Sequence, residues 1–515
     1  MGMPQLIKIL RNEYYDSVTL MSLTAELKRQ SGADQIAVLM GTDMNKDMLR
    51  DLGFSLLELQ DASANDCIIA VSGESCDAAL LNRIVLKLQQ GSTPAGVSKQ
   101  HTVSTIKDAL PDFDANLVVI STPGQYAARE AEVALRHGLH VMMFSDNVPI
   151  EDERRLKQMA RERGLLLMGP DCGTAIINGV GLCFANCVRT GTIGIVAASG
   201  TGLQEVSVLI HKHGGGVSQA IGVGGRDLSV EIGGIMMLEG IRALAGDVAT
   251  KVIVLISKPP SRAVQDEVLA LLARIEKPAV VCFLDGDAPS ELLPSMRFVT
   301  TLAAAADEAL SLAGVAADLR DESPIGHQVG LTAARVQLQA AQRFIRGLYC
   351  GGTLCAEAVS LARRAVQPVF SNVSKRKDEQ LQNVLVSQGH CFVDLGDDVF
   401  TDGKPHPMID PSIRLARILQ EANDPQTAVL LLDFELGYGS HPDPVGVALP
   451  TLCLAQDIVK QRGGHLAIVG YICGTDLDKQ DFAAQQVKLL SIGVITASSN
   501  AHAVQIACQI VAGGE

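Results

Sequence analysis

Two glycine-rich turns carry the residue types best suited to binding chemistry. The first, Ser199-Gly200-Thr201-Gly202, follows the apolar run Thr192–Ala198 and opens an amphipathic stretch. The second, Gly224-Gly225-Arg226-Asp227, follows the apolar run Val217–Val223. A buried strand that turns through small residues into a helix exposes backbone N–H groups at the positive end of the helix dipole. Both turns therefore predict a site for a phosphate or a carboxylate, and the Arg226 guanidinium suits either group.

Each turn also has a structural interpretation. In the first, Ser199 could cap an ordinary helix with its hydroxyl. In the second, Arg226 could pair with Asp227 at the surface. Two such turns in succession nevertheless suggest a site for an anionic ligand.

Lys258 and His406 are the other candidate catalytic residues. Lys258 follows the apolar run Val252–Ser257, and His406 lies between two prolines that hold it in an extended segment. His406 could act as a general acid or base, or it could hydrogen-bond within its own loop. Asp and His residues also follow strands at 394–398 and 437–443, but their spacing matches no metal signature. We expect no bound metal.

The composition of the 515 residues limits the class of protein and of partner. The net charge of −14 argues against nucleic acid or an acidic membrane surface as the main partner. Twelve cysteines occur without a C-x-x-C pair, which fits a reducing compartment better than a disulfide or zinc framework. No apolar run approaches the length of a membrane span. We expect a cytoplasmic protein.

Strand-like apolar runs alternate with helical patterns along almost the whole chain, as in βαβ units. The alternation predicts an α/β fold with parallel sheets. Helices are expected at 126–136 and 150–163, and a linker helix at 318–342. The expected strands are Asp66–Ser72, Asn116–Ser121, His140–Ser145, Leu165–Met168, Thr192–Ala198, Lys251–Ser257, Pro278–Phe283, Phe344–Tyr349, Ala428–Asp433, Leu466–Tyr471 and Val494–Ala497.

Three motifs recur in a recognisable order: Met168–Thr174, Ile193–Thr201 and Ile221–Asp227. Their order and spacing resemble the α-subunit of succinyl-CoA synthetase, a member of the NDP-forming acyl-CoA synthetase superfamily. Segments 144–148, 395–398 and 404–410 extend this resemblance to the bacterial FdrA-type acyl-CoA synthetase-like proteins. The resemblance implies a Rossmann-like CoA-binding-type domain at 1–188. It also implies flavodoxin-like ligase domains at 189–317 and 343–515, joined by the linker helix at 318–342.

The resemblance also implies where ligands bind. In the superfamily, helix N-termini of two ligase domains converge on a phosphoryl group, and the loop that corresponds to 169–174 lies near the CoA end. Cys172 could contact pantetheine or be a buried, inert cysteine. The segment 348–353 repeats the order of strand, glycine turn and helix. The residues expected to contact CoA or an anion are Gly169, Pro170, Asp171, Cys172, Gly173, Thr174, Ser199, Gly200, Thr201, Gly224, Gly225, Gly351, Gly352 and Thr353.

Two positions depart from the superfamily. The synthetases carry a phosphorylated histidine in a Gly-His-Ala-Gly loop, whereas this chain has Leu284-Asp-Gly-Asp-Ala-Pro-Ser290 there, with no histidine between His213 and His327. Lys258 stands near the position of a glutamate that orients that histidine. A phosphohistidine intermediate needs both groups. We therefore expect no phosphohistidine, and nucleotide chemistry only through a partner chain.

The resemblance leaves three functions open. The first is a succinyl-CoA ligase α-like protein that binds an anionic acyl or phosphoryl substrate, with CoA possible, and acts with partner subunits or as a homo-oligomer. The second is a subunit of a carbamoyl- or acyl-transferase, similar to oxamate carbamoyltransferase, in purine or nitrogen catabolism. In that case, helix N-termini with Arg226 or Lys258 would stabilise charge on the transferred group. The third is a non-catalytic metabolite-binding subunit.

Overall fold

A computed structural model describes the chain as two units. The described residues are 5–11, 13, 15, 20, 23–24, 27, 35–54, 59, 62–63, 66–73 and 77–91, and then 105–512 without 290–292, 316–333 and 403. One compact unit spans Met1–Val103 and the other spans Ser104–Glu515. Among the described helices, none is long and apolar enough to cross a lipid bilayer.

The first unit contains a three-stranded antiparallel sheet. Its strands, β1 Gln5–Leu10, β2 Gln35–Met40 and β3 Cys67–Ser72, lie in the order β1-β3-β2, and its described helices include α1 Asp43–Asp51 and α2 Ala78–Gly91. The parallel strand expected at Asp66–Ser72 is wrong in its direction, because β3 pairs antiparallel with both neighbours. A central strand buried on both faces gives the same apolar run in either direction, so the sequence pattern does not reveal the direction.

The second unit begins with a small parallel sheet. Its strands are β4 Leu117–Ile120, β5 His140–Met143 and β6 Leu167–Met168, in that order. The accompanying helices are α3 Ile106–Ala109, α4 Gly124–Arg136 and α5 Ile150–Glu162. Three acidic residues in the first turn of α5 stabilise the positive end of its dipole.

A seven-stranded sheet follows, in the order β13-β12-β11-β9-β10-β7-β8. Strands β9 to β13 pair in parallel, and the β7–β8 hairpin adds an antiparallel edge. Because parallel strands end at one edge of a sheet, the turns after β9, β10 and β11 lie at the same edge. The elements are β7 Thr174–Ile177, β8 Val180–Cys183, β9 Thr190–Ala197, α6 Gly200–Lys212, β10 Val217–Gly222, α7 Ile235–Gly246, β11 Val252–Ser257, α8 Arg262–Leu272, β12 Ala279–Phe283, β13 Met296–Val299 and α9 Leu302–Leu312.

The chain ends in a six-stranded sheet with the order β15-β16-β14-β17-β18-β19. All of its strands pair in parallel. The elements are β14 Phe344–Tyr349, α10 Gly352–Ala362, β15 Val369–Ser371, β16 His390–Asp394, α11 Asp398–Thr401, α12 Ser412–Asn423, β17 Thr427–Glu435, α13 Pro444–Gln461, β18 Ala467–Cys473, α14 Phe482–Ser491, β19 Ile495–Ala497 and α15 Asn500–Val511.

The two larger sheets share one plan. In each, a central strand leads through a small-residue turn into a helix, from β9 into α6 and from β14 into α10. Buried aliphatic residues of both helices, such as Leu203 and Leu354, belong to one continuous core. This packing holds α6 and α10 side by side. Most of the expected linker helix at 318–342 lies outside the described residues, although 334–337 are helical.

Candidate functional site

The N-termini of α6 and α10 meet. Ser199 caps α6 by accepting a hydrogen bond from Gly202 N at 2.9 Å, and its Oγ donates to Thr353 Oγ1 at 2.6 Å. In the opposite direction, Thr353 N donates to Thr201 Oγ1 at 3.4 Å. A Cβ placed on Gly351 would lie 3.0 Å from Thr201 Cγ2, a tight contact that favours a glycine at this position. The structure therefore brings the Ser199 turn and the Gly351 turn into direct contact.

The N-terminus of α6 is open to a ligand. The backbone N–H groups of Gly200 and Thr201 have no hydrogen-bond partner within the described residues. Thr174 Oγ1 is buried and also lacks a partner. A Cβ on Gly200 would lie 3.6 Å from that oxygen, which sets the Thr174 hydroxyl beside the turn. Two backbone donors and one hydroxyl without partners among the described residues thus lie close together at the start of α6.

The corresponding turn before α10 is closed by a carboxylate of the chain itself. Asp433 accepts hydrogen bonds from Cys350 N at 2.9 Å and from Gly351 N at 2.9 Å. Arg414 donates to the same carboxylate at 3.1 Å. These bonds satisfy the donors that the sequence assigned to a ligand at Gly351. Gly352 and Thr353 remain part of the contact with α6.

The turn at Gly224 and Gly225 does not open a helix, which corrects the expectation from the sequence. Helix α7 begins only at Ile235, because the preceding residues Gly233 and Gly234 have left-handed backbones with φ of 77° and 70°. Asp227 caps that helix by accepting from Met237 N at 2.9 Å. The N-terminus of α7 is therefore also closed by a carboxylate of the chain.

Asp227 forms a buried ion pair with Lys157 rather than a surface pair with Arg226. The Lys157 ammonium lies 2.7 Å from Asp227 and 2.8 Å from Glu153, and all three side chains are buried. Arg226 turns to the other side of Glu153, at 2.8 Å, and donates to Val148 O at 2.7 Å. The structural alternative of an Arg226–Asp227 pair is therefore wrong.

The loop 169–174 contacts both the Ser199 turn and the Gly224 turn. A Cβ on Gly224 would collide with the carbonyl oxygen of Pro170, and Gly224 has a φ of 86°, so this contact needs glycine. The same loop reaches α6 because Gly173 lies beside Gly200. Cys172 is buried and its Sγ donates to Gly222 O at 3.4 Å. Burial raises the pKa of the Cys172 thiol to about 12, as in an inert cysteine.

Asp171 and Lys258 face this region with opposite charges. Part of the Asp171 side chain reaches solvent, but most of its surroundings are protein. This desolvation raises the pKa of Asp171 to about 6, and repulsion from the carboxylates of Asp146 and Asp398 acts in the same direction. Lys258 and Arg226 oppose that shift electrostatically. Lys258 is half-buried, and no hydrogen bond or ion pair engages it in the part of the chain that the structure describes. Its ammonium is therefore available to an anion.

Asp394, at the end of β16, belongs to the segment 394–398, which the sequence analysis considered for a metal but not for an anion site. Its carboxylate accepts from Gly396 N at 2.9 Å, and a Cβ on Gly352 would collide with its Oδ2. Burial raises the pKa of Asp394 to about 7, while the attraction of Lys258 opposes the rise. The sequence signal was an aspartate that ends an apolar strand before a glycine.

His406 lies next to Asp394 in a neutral form. Its Nδ1 accepts from Met408 N at 3.3 Å, and its ring packs against Phe184 at 5.7 Å between centroids. A Cβ on Gly396 would collide with its Nε2, so Nε2 points toward the Asp394 turn. Burial lowers the pKa of His406 to about 4. Of the two interpretations given above, the hydrogen bond within its own loop is present.

Cys350, Asp433 and Glu435 bring three potential metal ligands within 4.8 Å of one another. Their environment does not fit a cation, because Arg414 donates to Asp433 and backbone N–H groups occupy both oxygens of that carboxylate. Burial and the neighbouring Asp433 raise the pKa of Glu435 well above its ordinary value, which favours its neutral form over the carboxylate that a cation would need.

Comparison with known proteins identifies the family. The CoA binding domain family matches residues 188–286, the CoA-ligase family matches 348–510, and a family described as "AllF, heavy metal-associated domain" matches 3–103. The protein YahF of Escherichia coli (strain K12) is 45% identical over 515 residues and covers 99% of both chains. Subunit alpha 2 of the ADP-forming succinate–CoA ligase of Archaeoglobus fulgidus is 29% identical over 208 residues, 40% of this chain and 70% of the relative. The chain belongs to the FdrA-type acyl-CoA synthetase-like family.

The resemblance seen in the sequence is thereby confirmed, and so is the α/β class with a CoA-binding and a CoA-ligase domain. The two matches that concern CoA contain most of the site: the Ser199 and Gly224 turns lie within 188–286 and the Gly351 turn within 348–510, whereas the loop 169–174 precedes both. Among solved structures, the dinucleotide-forming acetyl-coenzyme A synthetase 1 of Ca. Korarchaeum cryptofilum is 13% identical and covers 82% of this chain and 87% of its own. Its TM-score is 0.31, too low to add to the argument.

Proposed function

We propose that this FdrA-type protein binds a small anionic acyl or phosphoryl substrate at the N-terminus of α6. One observation carries the proposal. The N–H groups of Gly200 and Thr201 have no hydrogen-bond partner within the described residues and lie beside the buried Thr174 hydroxyl, which also has none there, whereas Asp227 occupies donors at the start of α7 and Asp433 occupies those of the turn before α10. A helix N-terminus with unsatisfied donors is a favourable place for negative charge.

Lys258 supplies the local attraction that the protein as a whole lacks. The net charge of −14 repels an anion at long range. The half-buried ammonium of Lys258 interacts electrostatically with both Asp171 and Asp394. We assign Lys258 to the bound anion, and Arg226 to a weaker, longer-range role because its guanidinium already contacts Glu153.

We propose that CoA binds in the same region. Gly173, Gly200 and Gly225 have no side chain of their own, and a Cβ at each would lie no closer than 3.6 Å to another atom, so these residues present a surface of backbone beside the α6 turn. We assign this surface, with the loop 169–174, to the pantetheine arm of CoA. When bound, CoA supplies a thiol that accepts an acyl group. The residues of this chain hold the anion, orient it by backbone donors and offset its charge with Lys258.

The proposal includes no phosphohistidine. His406, the candidate catalytic histidine, is partly buried, and its Nδ1 already accepts a hydrogen bond from Met408 N, which leaves the ring proton on Nε2. We infer that partner subunits supply any nucleotide chemistry. The Archaeoglobus fulgidus relative is itself named as a subunit, which supports this part of the proposal. We expect the assembly to act in the cytoplasm.

A second candidate is direct transfer of a carbamoyl or acyl group without a phosphorylated enzyme. Lys258 favours it, because an ammonium near the position of the expected glutamate stabilises an anion but cannot orient a phosphohistidine. In this reaction the substrate nucleophile attacks the carbonyl carbon of an acyl phosphate, and phosphate leaves with the bonding electron pair. The α6 donors and Lys258 would stabilise the charge on the phosphate that departs.

Isothermal titration calorimetry with five ligands tests these proposals. We expect the purified chain to bind inorganic phosphate and at least one of acetyl phosphate, carbamoyl phosphate and CoA, and not to bind ATP on its own. Preference for CoA supports the ligase-like function, and preference for carbamoyl phosphate supports direct transfer. Binding without turnover after addition of partner subunits supports a metabolite-binding role. Failure of every anion to bind would contradict the proposed site.

A further inference from the structure

Asp394 is held rigidly beside the proposed anion site. Asn372 fixes its backbone from both sides, donating to Asp394 O and accepting from Asp394 N, each at 2.9 Å. Its Oδ1 accepts from Gly396 N at 2.9 Å. Its Oδ2 packs against Gly352, where a Cβ would collide with it. The side chain therefore cannot move away without breaking these contacts.

The position of Asp394 puts it in competition with a ligand. Gly352 begins α10 and is adjacent to Gly351, whose Cα approaches Thr201, and to Thr353, which hydrogen-bonds to Ser199. A negative charge on Asp394 therefore lies at the start of α10, which contacts the start of α6, and it interacts with the same Lys258 ammonium that we assign to an anion at Gly200. Two negative charges in this partly desolvated region repel each other strongly.

We propose that Asp394 couples anion binding to proton uptake: an anion binds at the Gly200 turn together with a proton on Asp394. This inference rests on the proposed function. The proton comes from solvent and is held on the Asp394 carboxyl, with Oδ2 as the oxygen that has no hydrogen-bond partner in the described chain. Asp394 then makes the affinity for the anion depend on pH. Its neutral carboxyl does not repel the anion, whereas its carboxylate does.

The surrounding groups are consistent with this role. Burial raises the pKa of Asp394 to about 7, so a bound anion needs to shift the equilibrium only slightly for the carboxyl to become protonated near neutrality. The carboxylates of Asp433 and Asp397 favour the protonated form, and Lys258 opposes it. The titratable and charged groups that face Asp394 are Lys258, Asp397, Asp433, His406, Cys350 and Cys355.

Sulfate is the probe for the test, because its charge stays constant between pH 6 and pH 9. Calorimetric titration at pH 8 in two buffers of different ionisation enthalpy reports the number of protons taken up on binding. For the wild-type protein we expect uptake that approaches one proton, and an affinity that falls about tenfold per pH unit above pH 7.5. For Asp394→Asn we expect no uptake and an affinity at pH 8 about tenfold above that of the wild type.

Asp402→Asn is the matched control. It removes one exposed carboxylate from the same segment of chain, so it changes the net charge equally but should leave the proton uptake intact. Thermal unfolding checks that both variants are folded. Sulfate binding by the wild type without proton uptake, or with uptake that persists in Asp394→Asn, would overturn the role of Asp394 alone. No sulfate binding by the wild type would contradict the anion site itself, and with it this inference.

Discussion

Ser199 and Thr353 share a hydrogen bond of 2.6 Å between their hydroxyls, although 154 positions separate them in the chain. Each residue lies at the start of a helix that follows a central strand, and the two strands belong to different sheets. The bond therefore joins two strand–turn–helix units at their N-termini. It also fixes the turn whose free N–H groups form the proposed anion site.

Ser199→Ala should weaken both folding and anion binding. The substitution removes the cap of α6 and the bond to Thr353, and we expect a loss of about 1–2 kcal/mol in the free energy of unfolding. Affinity for phosphate should fall because the Gly200 and Thr201 N–H groups are no longer held in place. Chemical denaturation and calorimetry measure the two effects. Ser261→Ala removes a comparable cap from α8 and should leave phosphate affinity unchanged.

Lys258→Met should reduce affinity for phosphate at least tenfold, or about 1.4 kcal/mol, because it removes an ammonium that forms no hydrogen bond or ion pair with the described residues. Arg226→Ala should have a smaller effect on affinity, since that guanidinium already contacts Glu153 and Val148 O. Calorimetric titration of both variants gives the comparison. An Arg226→Ala variant that loses more affinity than Lys258→Met would show that the roles are reversed.

Lys157→Met should destabilise the second unit severely without touching the anion site. The variant leaves Glu153 and Asp227 buried without their shared ammonium, and removing one partner of a buried ion pair typically costs 3–5 kcal/mol. Thermal and urea unfolding measure the loss. Lys251→Met makes the same substitution at an exposed lysine and should change the unfolding midpoint little. Equal effects in the two variants would contradict the ion-pair argument.

Glu357→Gln should change how stability depends on pH. Glu357 is buried on α10 and accepts from Leu302 N at 2.7 Å and from Asn500 Nδ2 at 2.7 Å, and burial raises its pKa from 4.5 to about 7, with Glu205 acting in the same direction. Between these values the folded state binds the proton and the unfolded state releases it. The free energy of unfolding therefore falls as the pH rises from about 4.5 to about 7.

Over that interval, the wild type should lose stability relative to Glu357→Gln by on the order of 3 kcal/mol. Denaturation midpoints measured from pH 4.5 to pH 8 test this difference. Glu267→Gln, at an exposed glutamate, serves as the control, and its stability should depend on pH in the same way as that of the wild type. A wild type and a Glu357→Gln variant with parallel pH profiles would show that Glu357 has an ordinary pKa.

The sequence predicted the parallel sheets of the second unit because strands buried on both faces give continuous apolar runs. The same property concealed the antiparallel direction of β3. The sequence also located the Ser199 turn, where a small-residue turn does open a helix. At Gly224 it did not, because the two successive left-handed glycines at 233 and 234 delay the helix until Ile235.

The sequence could not reveal which turns are available to a ligand. Asp433 lies more than 80 positions from the Gly351 turn that it closes, and Asp227, which caps α7, is paired with Lys157, 70 positions away. Such pairings depend on tertiary structure rather than on local pattern. Asp394 shows the same limit, because its importance comes from contacts with Gly352 and Gly396 across the loops of the sheet edge.

A crystal structure of the protein with inorganic phosphate tests the central claim most directly. The account predicts a phosphate whose oxygens accept hydrogen bonds from the backbone N–H groups of Gly200 and Thr201 and from Thr174 Oγ1, with the Lys258 ammonium beside it. A phosphate bound elsewhere while this turn stays empty, or a turn closed by a side chain of the protein, would contradict the account.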